Sequence, residues 1–310
     1  MIPIVLMVVA LAGLLYGSEL AVDGMRTLAA RLGRSPLTVG LTIAAVGTSL
    51  PEMATNVAAA LTDAPEHGSG IAVGNIVGSC LSQITLLLGL TALVRPLHAP
   101  WSELRRDGIA ALAALSLMAL VMADGVASRW EGIALVLVYV AYLAHVWRRV
   151  GPADAATPSP PPSAARGALL KSLVGTAVLV LSADLLVDTG VRIAIDMGVD
   201  ENKVGLAVGV ATGIPELAFA LQGVRHGAPG LAIGNLIGSN VTDPLASFGL
   251  GASIRAVEVA PEVLRIDTPV WAVSTVLALF LLSRPAGLGR AGGAFLVAAF
   301  LVYSVARGAL

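Results

Sequence analysis

Charge, lysine and cysteine are all scarce in this chain. Only 13% of its 310 residues are Asp, Glu, Lys or Arg, against about a quarter in soluble domains, which argues against a water-soluble enzyme. Two lysines accompany 17 arginines, and 19 basic against 20 acidic residues give a net charge of −1. That balance leaves no basic excess for a nucleic-acid partner. The single cysteine, Cys80, excludes an internal disulfide and a thiolate metal cluster. The four histidines, His67, His98, His145 and His226, fall in loops or at the ends of apolar runs, as solvated residues do. Intramembrane protease chemistry lacks its parts: there is no HExxH and no Gly-Asp motif, and every His is peripheral to the spans rather than placed to pair with a serine inside one.

What the chain has in abundance is apolar sequence, 56% of it, with a mean hydropathy of +0.86. A helix of roughly 20 residues crosses a hydrocarbon core of ~30 Å. Runs of that kind lie at 2–18, 37–60, 70–93, 108–123, 131–147, 167–187, 203–222, 230–251, 269–283 and 291–307. The expected fold is therefore all-α and polytopic, with ten transmembrane helices. The first run lacks a basic segment before it and is read as a retained helix rather than a signal peptide. Connections 1–2, 3–4, 5–6, 7–8 and 9–10 hold 13 of the 19 basic residues, so the positive-inside rule places both termini outside. Trp101, Trp130, Trp147 and Trp271 flank the runs and read as interfacial anchors.

A Pro-rich stretch at 151–166 separates a first five-helix half, 1–150, from a second, 167–310. The halves repeat. GSELAVDGMRTLAARLG (17–33) aligns with SADLLVDTGVRIAIDMG (182–198), AVGTSLPEMA (45–54) with GVATGIPELA (209–218), and GNIVGS (74–79) with GNLIGS (234–239). An odd helix number per half makes the repeats inverted. Transporters of that design bind substrate at broken helices near the midplane. The repeats centre on about 37–93 and 203–251. Glu19, Asp23, Asp184 and Asp188 lie toward the ends of their runs, where capping and a gate-side interaction both fit and capping is the simpler reading.

Glu52 and Glu216 lie deep in apolar runs with no Lys or Arg nearby in the same run. A carboxylate there costs several kcal/mol unless it is paired or coordinated. Pro51 and Pro215 precede them, and a mid-helix proline frees a carbonyl four residues back, here Gly47 and Ala211. Proline alone can also mean a packing kink, and the glycines of GNxxGS can mean a packing face. Thr48, Ser49, Thr212, Asn75, Ser79, Asn235 and Ser239 add neutral oxygens, while Gln83 and Asp243 follow the two serines at i+4 on the same helix face. Three carboxyl groups with no cationic partner favour a cation as ligand.

At GTSLPE, GNIVGS, ATGIPE and GNLIGSN the sequence resembles the cation/Ca²⁺ antiporter superfamily, and within it the prokaryotic Na⁺/Ca²⁺ exchangers. The resemblance covers the whole chain. It implies a multi-pass antiporter of a prokaryotic inner (plasma) membrane, a monomer in the bilayer without cofactor, exchanging Na⁺ for Ca²⁺ by alternating access. It further implies Ca²⁺ shared by Glu52 and Glu216 with carbonyls at Thr48 and Thr212. Flanking Na⁺ sites would use Ser49, Ser79, Ser239 and carbonyls at Ala45 and Gly209, and a central site Gln83 and Asp243. Helices 1 and 6, carrying Glu19 and Asp184, would slide to switch access. Three departures concern the Na⁺ sites. Gly213 stands where a serine is usual, Gln83 where a shorter Asn or Asp is usual, and Cys80 replaces the Asn of GSN. H⁺ is the alternative coupling ion. The proton-coupled branch usually has Gly-Asn before the acid and often an acidic stretch between halves, and this linker contains one acid, Asp154. A passive channel would need a continuous polar path, which the few clustered acids do not provide.

Overall fold

The computed structural model describes residues 2–61, 65–149, 162–196 and 212–307, and they are overwhelmingly helical. The first helix, α1 (Ile2–Leu32), runs well past the apolar segment that ends at residue 18. Then come α2 (Pro36–Val39), a π-helical turn at Gly40–Ala44, α3 (Ala45–Thr48) and α4 (Leu50–Leu61). Next are α5 (Pro65–Ser82), a second π turn at Gln83–Leu87, α6 (Leu88–Val94), α7 (Trp101–Val121), β1 (Val126–Ala127) and α8 (Arg129–Arg149). The later part holds α9 (Pro162–Asp196), α10 (Ile214–Arg225), α11 (Pro229–Thr242), a π turn at Asp243–Ser247 and α12 (Phe248–Ile254). It closes with β2 (Val257–Glu258), a π turn at Val263–Asp267, α13 (Thr268–Ser283) and α14 (Arg290–Ala306). The two short strands pair antiparallel, Val126 opposite Glu258.

Every expected run except 203–222 is helical along most of its length; that one is described only from residue 212, with a helix from Ile214. Among the described residues five helices are long and apolar enough to cross a membrane. A sixth span forms if Pro36–Thr48 and Leu50–Leu61, bent by 41°, count together. The outer faces of α1, α8 and α9 expose large apolar side chains such as Val8, Leu137 and Leu173, as lipid-facing helices do.

Helices α1 and α9 have 31 and 35 residues, about 46–53 Å at 1.5 Å per residue, longer than the hydrocarbon core. Glu19, Asp23, Asp184 and Asp188 therefore lie inside long helices, and the capping reading is corrected. Charge ends an apolar run but does not interrupt backbone hydrogen bonding. Asp23 instead pairs with Lys171 of α9 at 2.6 Å, and Glu19 lies 4.0 Å from His226. Glycine sets how closely the two long helices approach. A Cβ on Gly17 would meet the Leu179 backbone nitrogen at 2.5 Å, one on Gly24 the Ser172 nitrogen at 2.6 Å, and one on Gly175 the backbone of Ala21.

The remaining helices form a bundle whose core includes Ile76, Ile84, Leu88, Met118, Ile237 and Phe248. Within it α11 packs backbone to backbone on α2 and its π turn. A Cβ on Gly238 would lie 2.5 Å from the Leu41 carbonyl, and Gly234 faces the Leu37 carbonyl. The second GNxxGS motif is thus a packing face, as small-residue motifs in membranes often are. Trp101 and Trp130 are exposed, but Trp271 is 1% exposed at the centre of the bundle. The anchor reading is corrected there: its indole N–H is satisfied by a buried amide rather than by the interface.

Candidate ion-binding site

Two helix breaks build the site, and they match. Ser49 separates α3 from α4 with φ −79°, ψ 7°, and Gly213 precedes α10 with φ −79°, ψ 5°. In each case a proline follows two residues on and a glutamate after it, so Glu52 and Glu216 occupy the first turn of a half-helix. That end of a helix carries unpaired N–H groups and a positive partial charge, which favours an anion there. Proline fits the first turn because its missing N–H has no helical partner at that position.

Glu52, Glu216 and Asp243 are each 0% exposed. Among the described residues no partner comes within hydrogen-bonding geometry of either carboxyl oxygen of Glu52 or of Glu216. The Oδ1 atoms of Asn56 and Asn235 are buried and unpartnered as well. All six atoms are acceptors. The charges acting on Glu52 are those of Glu216 and Asp243, both negative. Ion pairs such as Arg106–Asp107, Lys171–Asp23 and Arg307–Asp267 lie elsewhere. Buried acids that have no cationic partner among the described residues are costly unless protons or metal ions supply positive charge.

The surrounding amides and hydroxyls hold this cluster in shape. The Nδ2 groups of Asn56 and Asn75 donate to the Glu52 carbonyl at 2.9 and 3.3 Å. Across the bundle, Asn235 Nδ2 donates to Thr48 Oγ1 at 2.8 Å, and the Thr48 hydroxyl neighbours Glu216. Ser49 Oγ lies 3.3 Å from Ser239 Oγ. Residues from the two halves of the sequence are therefore interleaved in one site. The Ala45 carbonyl accepts the Ser49 N–H at 3.0 Å and retains a second lone pair. Thr212 lies in the turn beside Gly213. Gly209 and Ala211 fall outside the described residues.

Asp243 has a different environment. Its Oδ2 accepts Gln83 Nε2–H at 2.9 Å, with the Ser79 hydroxyl at 3.4 Å, and its Oδ1 faces the Ser247 hydroxyl at 3.4 Å. Gln83 and Asp243 each open a π-helical turn at corresponding places in the two repeats. Such turns widen a helix by one residue and are frequent at functional sites. Sequence reasoning missed the turns. In the second repeat Pro244 was a usable signal, whereas nothing in QITLL marks the first. It also missed Asn56, one turn after Glu52, and the part played by Trp271 and Asn240.

Comparison with known proteins is consistent with this geometry. The family described as sodium/calcium exchanger protein matches residues 2–148 and 168–308. The inner membrane protein YrbG of Escherichia coli (strain K12) is 32% identical over 96% of this chain and 94% of its own. The sodium/calcium exchanger MaX1 of Methanosarcina acetivorans is 26% identical over 89% of this chain and 90% of its own. Among solved structures, the sodium-calcium exchanger NCX_Mj soaked with zero Na⁺ and Ca²⁺ superposes with a TM-score of 0.85, at 26% identity and covering 98% of each chain.

Proposed function

Because the chain belongs to the sodium/calcium exchanger protein family, we propose that it exchanges Na⁺ for Ca²⁺ across a prokaryotic plasma membrane by alternating access. In this reading ten helices form two inverted five-helix repeats with both termini outside, and the protein acts as a monomer. Ca²⁺ is cargo. Glu52 and Glu216 share it and balance its two charges, and carbonyls at Thr48 and Thr212 complete a shell of the hard oxygens that Ca²⁺ prefers. Na⁺ takes flanking positions built from Ser49, Ser79, Ser239 and the carbonyls of Ala45 and Gly209. Asp243 is the third acid of the chamber.

One observation carries the proposal: four buried carboxyl oxygens, two at each of a matched pair of helix breaks, have no partner in hydrogen-bonding geometry among the described residues. The α1–α9 pair supports the alternating-access part. It packs closely on itself through glycine and meets the bundle chiefly beside the helix breaks, at α2–α4 and α10. Sliding it past the site would open one side and then the other.

The test is Ca²⁺ uptake into proteoliposomes loaded with Na⁺. An outward Na⁺ gradient is expected to drive uptake, with no Ca²⁺ movement when both sides hold only K⁺. Uptake driven by a pH gradient and indifferent to Na⁺ would replace Na⁺ by H⁺ as the coupling ion. Ca²⁺ leak without any counter-ion would make the protein a channel.

A further inference from the structure

A chain of buried amides runs from Trp271 to Asp243, and its direction is fixed at the tryptophan. The indole N–H can only donate. It lies 2.9 Å from Asn240 Oδ1, so that atom is the oxygen. The other end of the same amide, Nδ2, faces the Leu236 carbonyl at 3.2 Å, which can only accept. Asn240 is thus held by one obligate donor and one obligate acceptor, and its amide cannot be turned over. Its second N–H points at Gln83 at 3.0 Å, which requires the Gln83 oxygen there. The Gln83 nitrogen must then face Asp243, where it donates to Oδ2 at 2.9 Å. Trp271, Asn240, Gln83 and Asp243 are all at most 1% exposed, so water does not compete for these bonds.

We propose that Trp271 and Asn240 are positioning residues that turn the amide nitrogen of Gln83, and not its oxygen, onto Asp243, so that the place between Gln83 and Asp243 rejects a cation. The inference rests on the exchange reading and refines its ion count. The oxygen of Gln83 is turned toward Asn240, and the face the amide presents to the centre is a partially positive N–H. That N–H holds the negative charge of Asp243, work that elsewhere in the chamber falls to an ion. Among the described residues no side-chain amide donates to Glu52 or Glu216. The relay exists once: Cys80 stands at the position of Asn240 in the first repeat, and a thiol cannot pass on the polarity of an amide.

Replacing Asn240 by Asp removes the N–H that holds the Gln83 oxygen and puts an acceptor in its place. Gln83 must then turn its nitrogen to the new carboxylate and its oxygen to Asp243, giving an all-oxygen centre. The experiment counts ²²Na⁺ bound per chain at equilibrium by the purified full-length protein. Asn240→Asp is expected to bind one Na⁺ more than wild type, and Asn240→Asp with Gln83→Leu to lose it again. Asn240→Leu, close in size and uncharged, frees the same oxygen and is expected to gain the ion at higher Na⁺ concentration. This keeps the test intact if the aspartate variant does not fold. An unchanged count in the folded Asn240 variants overturns the relay. So does a gain that persists without Gln83, since the added charge alone would then explain it. Wild-type protein that fails to couple Ca²⁺ to Na⁺ in liposomes sinks the exchange reading, while the Na⁺ count still decides the relay.

Discussion

Glu52 and Glu216 resemble each other in full burial and in having no cationic partner among the described residues, so each removes a full charge from the site when it is neutralised. Glu52→Gln and Glu216→Gln are each expected to weaken Ca²⁺ binding about a hundredfold or more, since uncoupling one member of a buried charge cluster costs about 3–5 kcal/mol. ⁴⁵Ca²⁺ exchange in liposomes reads this directly, and wild-type rates in either variant would remove the ligand assignment. Gly213 is a different case. Its φ of −79° lies in a region open to any residue, and Ser49 has the same angles at the matching break. The glycine is therefore not required by the backbone. Gly213→Ser is expected to fold normally and to lower the Na⁺ concentration needed for half-maximal Ca²⁺ efflux by supplying a hydroxyl beside the site. An unchanged Na⁺ curve would show that this hydroxyl has no part in binding.

At the scale of helices, the close approach of α1 and α9 rests on side chains that are absent. A Cβ on Gly175 would run into the backbone of Ala21, and one on Gly17 into that of Leu179. Because backbone cannot move aside as a flexible side chain can, Gly175→Leu must push the helices apart. Overpacking of this kind costs about 1–3 kcal/mol. The expected result is a lowered melting temperature in detergent and slower exchange, whereas Leu173→Ala, on the exposed face of the same helix, should leave both near wild type. The extents of these two helices were only partly legible in the sequence. Hydropathy located their apolar parts, but Glu19, Asp23, Asp184 and Asp188 ended the runs without ending the helices, because helical hydrogen bonding is indifferent to a charge that finds a partner such as Lys171. The π turns were less legible still: one extra residue per turn leaves no trace in hydrophobic periodicity.

For the molecule as a whole, orientation is the property most open to direct test. The bias of basic residues toward one set of connections predicts that the Pro-rich linker is cytoplasmic. Cys80 is buried at 0% exposure, so the wild-type chain gives a silent background for thiol labelling. A cysteine introduced at Thr157 is expected to react with a membrane-impermeant maleimide only in inside-out vesicles. Labelling in intact spheroplasts would reverse the topology.

Composition, the duplicated Pro-Glu and GNxxGS motifs and the absence of basic partners nearby in the same runs were enough to single out Glu52, Glu216 and Asp243 as a candidate cation site, because a buried acid without a counter-charge is an energetic anomaly visible in one dimension. Tertiary structure alone decided which oxygens are left without donors and which are not. In the sequence Asp243 is a third buried acid assigned with Gln83 to a central ion site, yet a tryptophan 28 residues further on dictates, through two amides, that it receives an N–H. Hydrogen-bond direction is a property of groups brought together from distant segments, and no local pattern of residues encodes it.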